Sequence, residues 1–219
     1  MASKGAYKVG KIRIDNEKAI LVSAEREFAE RGYNGASMNR IAEGAGVART
    51  NVHYYFKNKE ELYGTVLTDV IHMWDNSFNQ ITTEDDPAEA FESYIRAKVA
   101  YSKTNPLASK VFASEMLRGA PVLSSYLKKD YRDWMRGKAD IMNSWIEQGK
   151  MDAVDPFYLI FMIWASTQHY ADFEVQVKTV LGKPKLTARD FDAIADNLTH
   201  IILKGCGIKV RDSLLRAQA

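Results

Sequence analysis

The sequence contains few of the residues that mark disulfide-bonded, zinc-binding or membrane-spanning proteins. Cys206 is the only cysteine, and the chain has no CxxC motif or Cys/His cluster, so we predict neither an internal disulfide nor a structural zinc site. The longest unbroken apolar run, residues 159–165, is far shorter than the roughly 20 residues of a transmembrane helix. The first residues are polar and basic and lack the apolar core of a signal peptide. We expect a cytoplasmic protein.

Motifs of the common enzyme classes are also missing. The chain has no HExxH, P-loop or GxSxG sequence, and no ExxH pair of the kind that binds two iron ions in helical bundles. Gly44 and Gly46 lack the third glycine and the preceding strand of a dinucleotide site. His169 and Asp172 could form an acid/base pair, but their three-residue spacing is common on helices by chance. We therefore expect no enzyme, no metal site and no cofactor.

The remaining composition indicates a folded protein with an uneven distribution of charge. Of 219 residues, 46% are hydrophobic and 26% are charged, which excludes a disordered chain and suits one or two domains. Residues 1–59 hold 11 Lys and Arg against 6 Asp and Glu, whereas residues 60–219 hold 19 against 22. A basic N-terminal quarter joined to a nearly neutral remainder is typical of a nucleic-acid-binding domain attached to a body with another role.

Hydrophobic periodicity predicts an all-α fold. Apolar residues recur at helical spacing between Ala19 and Ala29, and no segment shows sustained two-residue alternation bounded by turn residues. Glycine and proline residues divide the chain into about nine predicted helices, without an internal repeat.

The basic N-terminal quarter contains the pattern of a helix-turn-helix. A short helix capped by Ser37, with Ile41 on its inner face, precedes the turn at residues 44–46, and a second short helix runs from 48 to about 55. The second helix of such a motif fits the major groove of DNA, and exposed polar side chains on it can read bases. A helical hairpin with no role in DNA binding, in which residues 54–56 simply pack, would have the same spacing.

Residues 18–63 resemble the DNA-binding domain of TetR-type transcriptional regulators. The family phrase F-x-x-x-G-Y-x-x-x-S-x-x-x-I-A-x-x-A-G-V is matched by Phe28, Gly32, Tyr33, Ser37, Ile41, Ala42, Ala45, Gly46 and Val47, and YYFKNKEELY at 54–63 completes it. The resemblance implies DNA contacts from Ser37, Arg49, Thr50, Asn51, His53, Tyr55 and Lys59. Phosphate contacts would position the domain, while base-edge contacts from Arg49, Thr50 and Asn51 would specify the sequence. Asn58 is predicted to cap the following helix in a capping box with Glu61.

With this resemblance the chain divides into four predicted segments. They are a flexible basic arm at 1–14, a helix-turn-helix DNA-binding domain at 15–60, an effector-binding and dimerisation domain at 61–207, and a flexible tail at 208–219. The arm carries four cations that could contact phosphates, namely Lys4, Lys8, Lys11 and Arg13.

A homodimer on double-stranded operator DNA is expected, because one recognition helix reads few base pairs and such proteins usually bind palindromes as two-fold dimers. The last predicted helix starts at Thr187, with Asp190 as its capping acid, and carries the apolar stripe Phe191, Ile194, Leu198, Ile201 and Ile202. This stripe could instead cover the protein's own core. The resemblance implies pairing through the last two long helices into a four-helix bundle.

The segment FMIWASTQHYADF, residues 161–173, adds polar groups to an apolar helix. In a helix that begins after Pro156, one face would carry Phe161, Trp164, Gln168 and Asp172. An indole one turn from an amide suits a flat heterocycle with alternating carbonyl and N–H edges. Alternatively, Trp164 fills the core and Gln168 bonds a backbone carbonyl or a partner subunit.

Residues 94–121 and 151–177 resemble a pyrimidine-sensing subgroup of the TetR-type repressors, and this similarity extends over about residues 15–205. Members of the subgroup sense uracil or thymine, which implies that Trp74, Trp164 and Gln168 help to form a pocket. Glu115 and His169 are further candidates. Glu115 could equally form a structural salt bridge with Lys110 or Arg118, and Trp74 could merely pack a domain junction.

The predicted function is that of a ligand-responsive regulator, in the form of a repressor. The dimer would bind a palindromic operator, and a small planar heterocycle such as uracil or thymine would shift it toward a state whose two DNA-binding heads are wrongly spaced. The alternative is a TetR-type regulator that senses an unrelated metabolite or a partner protein.

Overall fold

The computed structural model describes the backbone of residues 4–209 and the side chains of residues 12–209, and every regular element within that range is a helix. The elements in chain order are α1 Lys4–Gly35, α2 Met38–Gly44, α3 Arg49–Tyr55, α4 Lys59–Asn79, α5 Pro87–Thr104, α6 Pro106–Leu117, α7 Ser124–Tyr126, a π-helical turn Leu127–Tyr131, α8 Arg132–Glu147, α9 Pro156–Asp172, α10 Glu174–Val180 and α11 Ala188–Gly205. No helix among the described residues is both long and apolar enough to cross a lipid bilayer.

The all-α prediction is confirmed, although the described residues form more helices than the predicted nine. The additional elements are short: α7 has 3 residues and α10 has 7. Only Phe173 separates α10 from α9. Because no glycine or proline marks that break, punctuation in the sequence could not reveal it.

The predicted flexible ends differ from the structure. Residues 4–14, predicted as an arm, are part of α1, because the segment has no proline and adding residues to an existing helix costs much less than starting one. Ile208, predicted to begin a flexible tail, is buried, and its N–H donates to the Leu203 carbonyl at 2.9 Å. Residues 1–3 and 210–219 lie outside the described residues, as do the side chains of Lys4, Lys8 and Lys11.

The chain divides into two structural units. The first comprises the residues up to Ile71 together with Lys110–Leu123, and the second comprises His72–Ser109 and the residues from Ser124 onward. The first structural unit thus extends eleven residues beyond the predicted boundary after residue 60. The reason is that Tyr63 of α4 is buried and packs edge-on against Phe28, with 4.8 Å between ring centroids. The beginning of α4 thus completes the core of the first unit.

In the second unit, α5 lies at the centre of the core and packs against α9 and α11. The buried residues of α5 recur at helical spacing and include Phe91, Tyr94, Ile95, Lys98 and Val99. Each of the three helices has an acid or hydroxyl cap: Asp86 on α5, Asp155 on α9 and Thr187 on α11. The predicted pairing of Thr187 with Asp190 is present as a complete capping box, so the start of α11 was correctly located.

Candidate functional site

The helix-turn-helix of the first unit is held against α1 by a buried carboxylate and a close backbone approach. Glu27 of α1 accepts hydrogen bonds from the Ser37 N–H at 3.1 Å and from Arg40 Nε at 2.6 Å. Ser23 Oγ donates to the Ile41 carbonyl at 2.8 Å. A Cβ atom at Gly44 would lie 2.4 Å from that hydroxyl oxygen, so α1 and α2 can approach this closely because residue 44 is glycine.

Helix α2 is capped as predicted, and a tight turn leads to α3. Ser37 Oγ accepts from the Asn39 N–H at 3.3 Å. In the turn, Gly46 has a φ of 65°, a left-handed conformation that favours glycine. The side chain of Ser37 therefore stabilises the helix start, which is a structural role beside the predicted DNA contact.

The second helix of the motif, α3, exposes the predicted base-reading residues on one side and anchors the other. Val52 is fully buried, whereas exposed side chains are supplied by Arg49, Thr50, Asn51 and His53. Tyr55 is half-buried and its ring packs edge-on against Tyr54 at 5.2 Å. The structure thus brings five of the seven predicted DNA-contacting residues onto or beside one short helix.

Tyr54 lies on this surface, although the sequence analysis named it only in the alternative in which residues 54–56 pack. Its side chain is 70% exposed, and Arg13 of α1 lies 5.9 Å from its ring centroid. Residue 54 follows Thr50 by four positions and Asn51 by three, so helical periodicity places the three on one face. This spacing is the feature of the sequence that could have placed Tyr54 on the same surface as Thr50 and Asn51.

Lys59 has a structural role beside the predicted phosphate contact. Its ammonium donates to the carbonyl oxygens of Tyr33 at 2.7 Å and Ala36 at 3.1 Å, and lies 4.7 Å from the Tyr33 ring centroid. These contacts close the end of α1, where helix carbonyls lack partners. The side chain is therefore engaged inside the unit, and the phosphate contact of Lys59 stays a prediction.

The capping of α4 is close to the predicted arrangement. Asn58 Oδ1 accepts from the Glu61 N–H at 2.8 Å, as predicted. Glu61 accepts in turn from the Lys57 N–H at 2.8 Å, and not from the N–H of Asn58 that a standard capping box would use.

The second unit contains an aromatic compartment between four helices, here defined by the six rings of Trp74, Phe78, Tyr94, Tyr131, Trp134 and Trp164. Phe78 of α4 stacks on Tyr94 of α5 at 4.1 Å, and Tyr131 stacks on Trp134 at 5.5 Å. Trp164 of α9 donates from its indole N–H to the Tyr94 hydroxyl at 2.6 Å. Tyr131 ends the π-helical turn, a feature that is frequent at functional sites.

Buried charges lie in the same compartment. Lys98 of α5 is 2% exposed, with its ammonium 3.9 Å from the Trp74 ring centroid. Lys138 of α8 is also buried and lies 5.4 Å from the Phe78 ring centroid. Cations over aromatic faces are attracted by the ring quadrupole. Neither lysine was predicted as a site residue, although Tyr94 and Lys98 are four residues apart and therefore share a helix face.

The compartment shifts the pKa values of its ionisable groups. Burial lowers the pKa of Lys98 to about 7, against the opposing attraction of Asp75 and Asp172. Burial also raises the pKa of Asp75 to about 6, against the opposing effect of Lys98, His72 and Lys138. Both shifts disfavour the charged form, because the compartment supplies less solvation than water.

The predicted effector-binding residues fall into different environments. Trp74 and Trp164 both belong to the aromatic compartment. Gln168 is half-buried one turn after Trp164 on α9, and its amide makes no hydrogen bond to any described residue. His169 stacks on Phe173 at 5.0 Å, on a neighbouring side of α9.

Glu115 has a structural role in the first unit. It is fully buried, and its carboxylate accepts hydrogen bonds from the Val122 N–H at 2.6 Å and the Leu123 N–H at 3.3 Å. Arg118 lies 3.8 Å away in an ion pair. The alternative of a salt bridge with Arg118 is therefore the one that the structure favours, and Glu115 holds the loop after α6.

Two clefts on the second unit lie beside α10 and α11. The first, of about 530 Å³, is lined by His169, Val177, Lys183, Ile194 and Asn197 among others. The second, of about 450 Å³, lies between the end of α5 and the start of α11. Neither is lined by Trp74, Trp164 or Gln168.

The apolar stripe of α11 divides between core and surface. Ile202 is buried, and Phe191, Ile194 and Leu198 pack against the core, so most of the stripe serves the protein's own core. Ile201 is 60% exposed. Further exposed apolar side chains are found on α9, namely Phe157, Tyr158, Phe161 and Met162.

Two protein-family models together match most of the chain. Residues 20–66 match the model of bacterial regulatory proteins of the tetR family, and residues 67–209 match that of the YcdC-like protein, C-terminal region. The chain is 41% identical over 192 residues to the HTH-type transcriptional regulator RutR of Escherichia coli K12, covering 86% of this chain and 89% of the relative.

Solved structures with the same fold include two other regulators. KstR2 of Mycobacterium tuberculosis, a ketosteroid transcriptional regulator, matches with a TM-score of 0.67 and 19% identity, over 89% of this chain and 95% of that one. A TetR-like regulator from Rhodococcus sp. RHA1 matches with a TM-score of 0.62 and 18% identity, over 87% and 94%. At such identities these matches bear on the fold alone.

Proposed function

Since the chain belongs to the TetR family of bacterial regulatory proteins, we propose that it is a repressor that binds a palindromic operator as a homodimer and is released by a small planar heterocycle such as uracil or thymine. Its curated relatives are transcriptional regulators and not enzymes. The proposal includes a cytoplasmic location, where operator DNA is accessible.

The DNA-binding part of the proposal is supported by the surface of α3. A helix whose exposed side carries a guanidinium, an amide and a hydroxyl presents groups that pair with base edges in the major groove, here from Arg49, Asn51 and Thr50. The opposite side is fixed to the core by Val52. Recognition by this helix would add sequence specificity to the phosphate contacts that position the domain.

The effector part is carried by the aromatic compartment of the second unit. Trp74 and Trp164 provide flat apolar surfaces, and Gln168 adds a donor and an acceptor one turn away on α9. A planar ring with alternating N–H and carbonyl groups matches both features. The 41% identity to RutR extends over most of the chain and supports the resemblance from which the pyrimidine proposal comes.

Regulation would follow from a difference in ligand affinity between two dimer states. Helix α4 contributes Tyr63 to the first unit and Trp74 to the second, so a ligand beside Trp74 can bias the position of a helix that both units share. A coupling of about 1–3 kcal/mol, or roughly 5- to 150-fold in DNA affinity, is typical of such systems.

The dimer would form through α9 and α11. Their exposed apolar residues, Phe161, Met162 and Ile201, would be covered by the same residues of a second copy in an isologous contact. The first cleft borders α11 and is a second place where an unrelated metabolite could bind.

The test is isothermal calorimetry with uracil and thymine, combined with a mobility-shift assay on promoter DNA. We expect saturable binding to the native protein, loss of binding in Trp164→Ala and Gln168→Ala, and release of DNA by the ligand. Asn143→Ala, an exposed position on α8, is the matched control and should bind normally. If neither base gives a heat of binding to protein that still binds DNA, uracil and thymine are not the effector. The proposal that the protein is a DNA-binding regulator would still stand.

A further inference from the structure

Helix α1 begins well before the part of the chain that matches the family's DNA-binding model. The match starts at residue 20, whereas α1 begins at Lys4. Ile20 and Ala24 are fully buried and anchor the helix in the first unit. Residues 12–15, which precede this anchor, are all exposed. The first turns of α1 therefore extend beyond the core as the continuation of an anchored helix.

Arg13 lies on this extension and reaches the second helix of the helix-turn-helix. Its guanidinium carbon is 5.9 Å from the Tyr54 ring centroid, a distance at which the ring quadrupole attracts a cation. The Arg13 side chain is exposed, and within the described part of the chain it forms no hydrogen bond or ion pair. Its N–H groups are therefore available to a partner outside the chain.

Tyr54 places this guanidinium beside the predicted base-reading side chains. The tyrosine is 70% exposed and follows Asn51 by three positions and Thr50 by four, so the three share one face of α3. The seven residues of α3 include no acid. No carboxylate of this helix therefore competes with an outside anion for Arg13.

A DNA phosphate is the anion that this arrangement fits. A guanidinium is planar and can donate two parallel hydrogen bonds to phosphate oxygens. Contact with an aromatic ring restricts the long side chain before it binds, which lowers the entropy that binding costs. Phosphates flank every base pair that a helix reads in the major groove, and they supply the charge that basic domains bind.

We propose that Arg13 binds a DNA backbone phosphate beside the bases that α3 reads, and that Tyr54 positions its guanidinium for this contact. Helix α1 thereby extends the DNA-binding surface beyond the helix-turn-helix. The sequence placed this cation in a flexible arm, whereas the structure places it on a helix and gives it an aromatic neighbour. The inference rests on the proposed function, since it adds a contact to the same DNA-binding surface.

The experiment measures the affinity of the full chain for two duplexes, one of promoter DNA and one of random sequence, by fluorescence anisotropy at several salt concentrations. In Arg13→Gln, affinity for both duplexes should fall at least about fivefold at low salt, because a phosphate contact does not depend on sequence. The slope of log affinity against log salt concentration should become shallower by about one unit per subunit. Arg13→Lys keeps the charge and should restore most of the slope.

A double-mutant cycle tests the positioning role of Tyr54. Tyr54→Leu removes the ring, so the further change Arg13→Gln should cost little affinity in that background. Tyr54→Phe keeps the ring, and Arg13→Gln should cost as much there as in the native protein. If Arg13→Gln costs the same in the Tyr54→Leu background as in the native protein, Tyr54 does not position Arg13.

Lys18→Gln is the matched control, because it removes the same charge from another exposed position of α1. Residue 18 follows residue 13 by five positions and therefore lies on a different side of the helix. The control should keep the native slope. An equal change of slope in both variants would assign the effect to overall charge and overturn the contact. A loss on promoter DNA alone would assign Arg13 to a base edge and overturn the phosphate contact.

The outcomes separate this inference from the proposed function. If Arg13→Gln binds both duplexes with native affinity and native slope, the role of Arg13 is overturned and DNA binding by the helix-turn-helix stands. If the native protein binds neither duplex, the proposed DNA-binding function fails together with this inference.

Discussion

At the scale of single residues, burial changes what a charged side chain can do. Lys59 and Lys98 have the same chemistry, but the ammonium of Lys59 closes the carbonyl end of α1, whereas that of Lys98 lies over an aromatic ring. A phosphate contact was predicted for Lys59, and the structure adds two backbone carbonyls within reach of the same ammonium. The partners of a lysine decide its role.

The stability of the protein should have a shallow minimum between about pH 6 and pH 7, owing to Asp75 and Lys98. Asp75 has its pKa raised to about 6 in the folded state, so the folded state binds more protons between about pH 4 and pH 6 and stability falls as pH rises there. Lys98 has its pKa lowered to about 7, so the unfolded state binds more protons from about pH 7 to pH 10 and stability rises with pH.

Urea unfolding of native protein and of Asp75→Asn with Lys98→Met, at half-unit pH intervals, measures this profile. The charges facing Asp75 are Lys98, His72 and Lys138, and those facing Lys98 are Asp75 and Asp172. The minimum should be absent or much weaker in the double variant. An identical pH profile in both proteins would contradict the assignment.

Lys59→Met should destabilise the first unit without changing the salt dependence of DNA binding. The substitution removes charge-assisted hydrogen bonds to the Tyr33 and Ala36 carbonyls, and a loss of about 1–2 kcal/mol in unfolding free energy is expected for a partly exposed group. The measurement is urea unfolding together with DNA affinity at several salt concentrations. If the slope of log DNA affinity against log salt concentration falls by about one unit and stability stays unchanged, Lys59 contacts a phosphate.

At the scale of elements, α3 illustrates how a short helix can hold its exposed side chains in a fixed geometry. With 7 residues it would not be stable alone, and the packing of Val52 and the left-handed turn at Gly46 hold it in place. Once it is fixed, its exposed residues present side chains in a constant geometry. Rigid support is what allows few side chains to discriminate between bases.

Asn51→Ala should reduce operator affinity by about 1–3 kcal/mol and relax specificity at one base pair, while binding to random duplex DNA stays unchanged. The reason is that an amide on the exposed side of α3 can form two hydrogen bonds with one base, and non-specific binding depends on phosphate contacts. Fluorescence anisotropy with both duplexes measures the two affinities. Equal losses on both duplexes would assign Asn51 to the phosphate backbone instead.

At the scale of the whole molecule, α9 and α11 expose large apolar side chains to solvent. Large apolar side chains are exposed at several neighbouring positions of these helices, including Phe161, Met162 and Ile201. A patch of this kind on a soluble protein usually marks an interaction surface. A second copy supplies an identical patch, which is the requirement of a two-fold contact.

Ile201→Glu should therefore convert the protein to a monomer at micromolar concentration, since a charge would be buried twice at a two-fold interface. Sedimentation velocity measures the oligomeric state, and the same sample should lose operator binding. Leu117→Glu alters an exposed apolar residue in the first unit and is the matched control, which should remain dimeric. A native protein that sediments as a monomer would contradict the proposed interface.

The local features of the protein could be derived from its sequence alone, because they depend on neighbours along the chain. Apolar spacing predicted the all-α fold, and the caps at Ser37, Asn58 and Thr187 were located correctly. The resemblance carried by residues 28–47 predicted the family to which the chain belongs. Caps and helical periodicity can be read from the sequence, because each depends on residues only a few positions apart.

Contacts between distant residues were decided by the tertiary structure. Lys59 lies beside the Tyr33 and Ala36 carbonyls, and Trp164 donates to Tyr94 across 70 positions of the chain. Local spacing relates Tyr94 to Lys98 on α5, but it cannot relate residues of separate helices such as Lys98 and Trp74. Packing brings them together, and the poor solvation that results then sets their charge states.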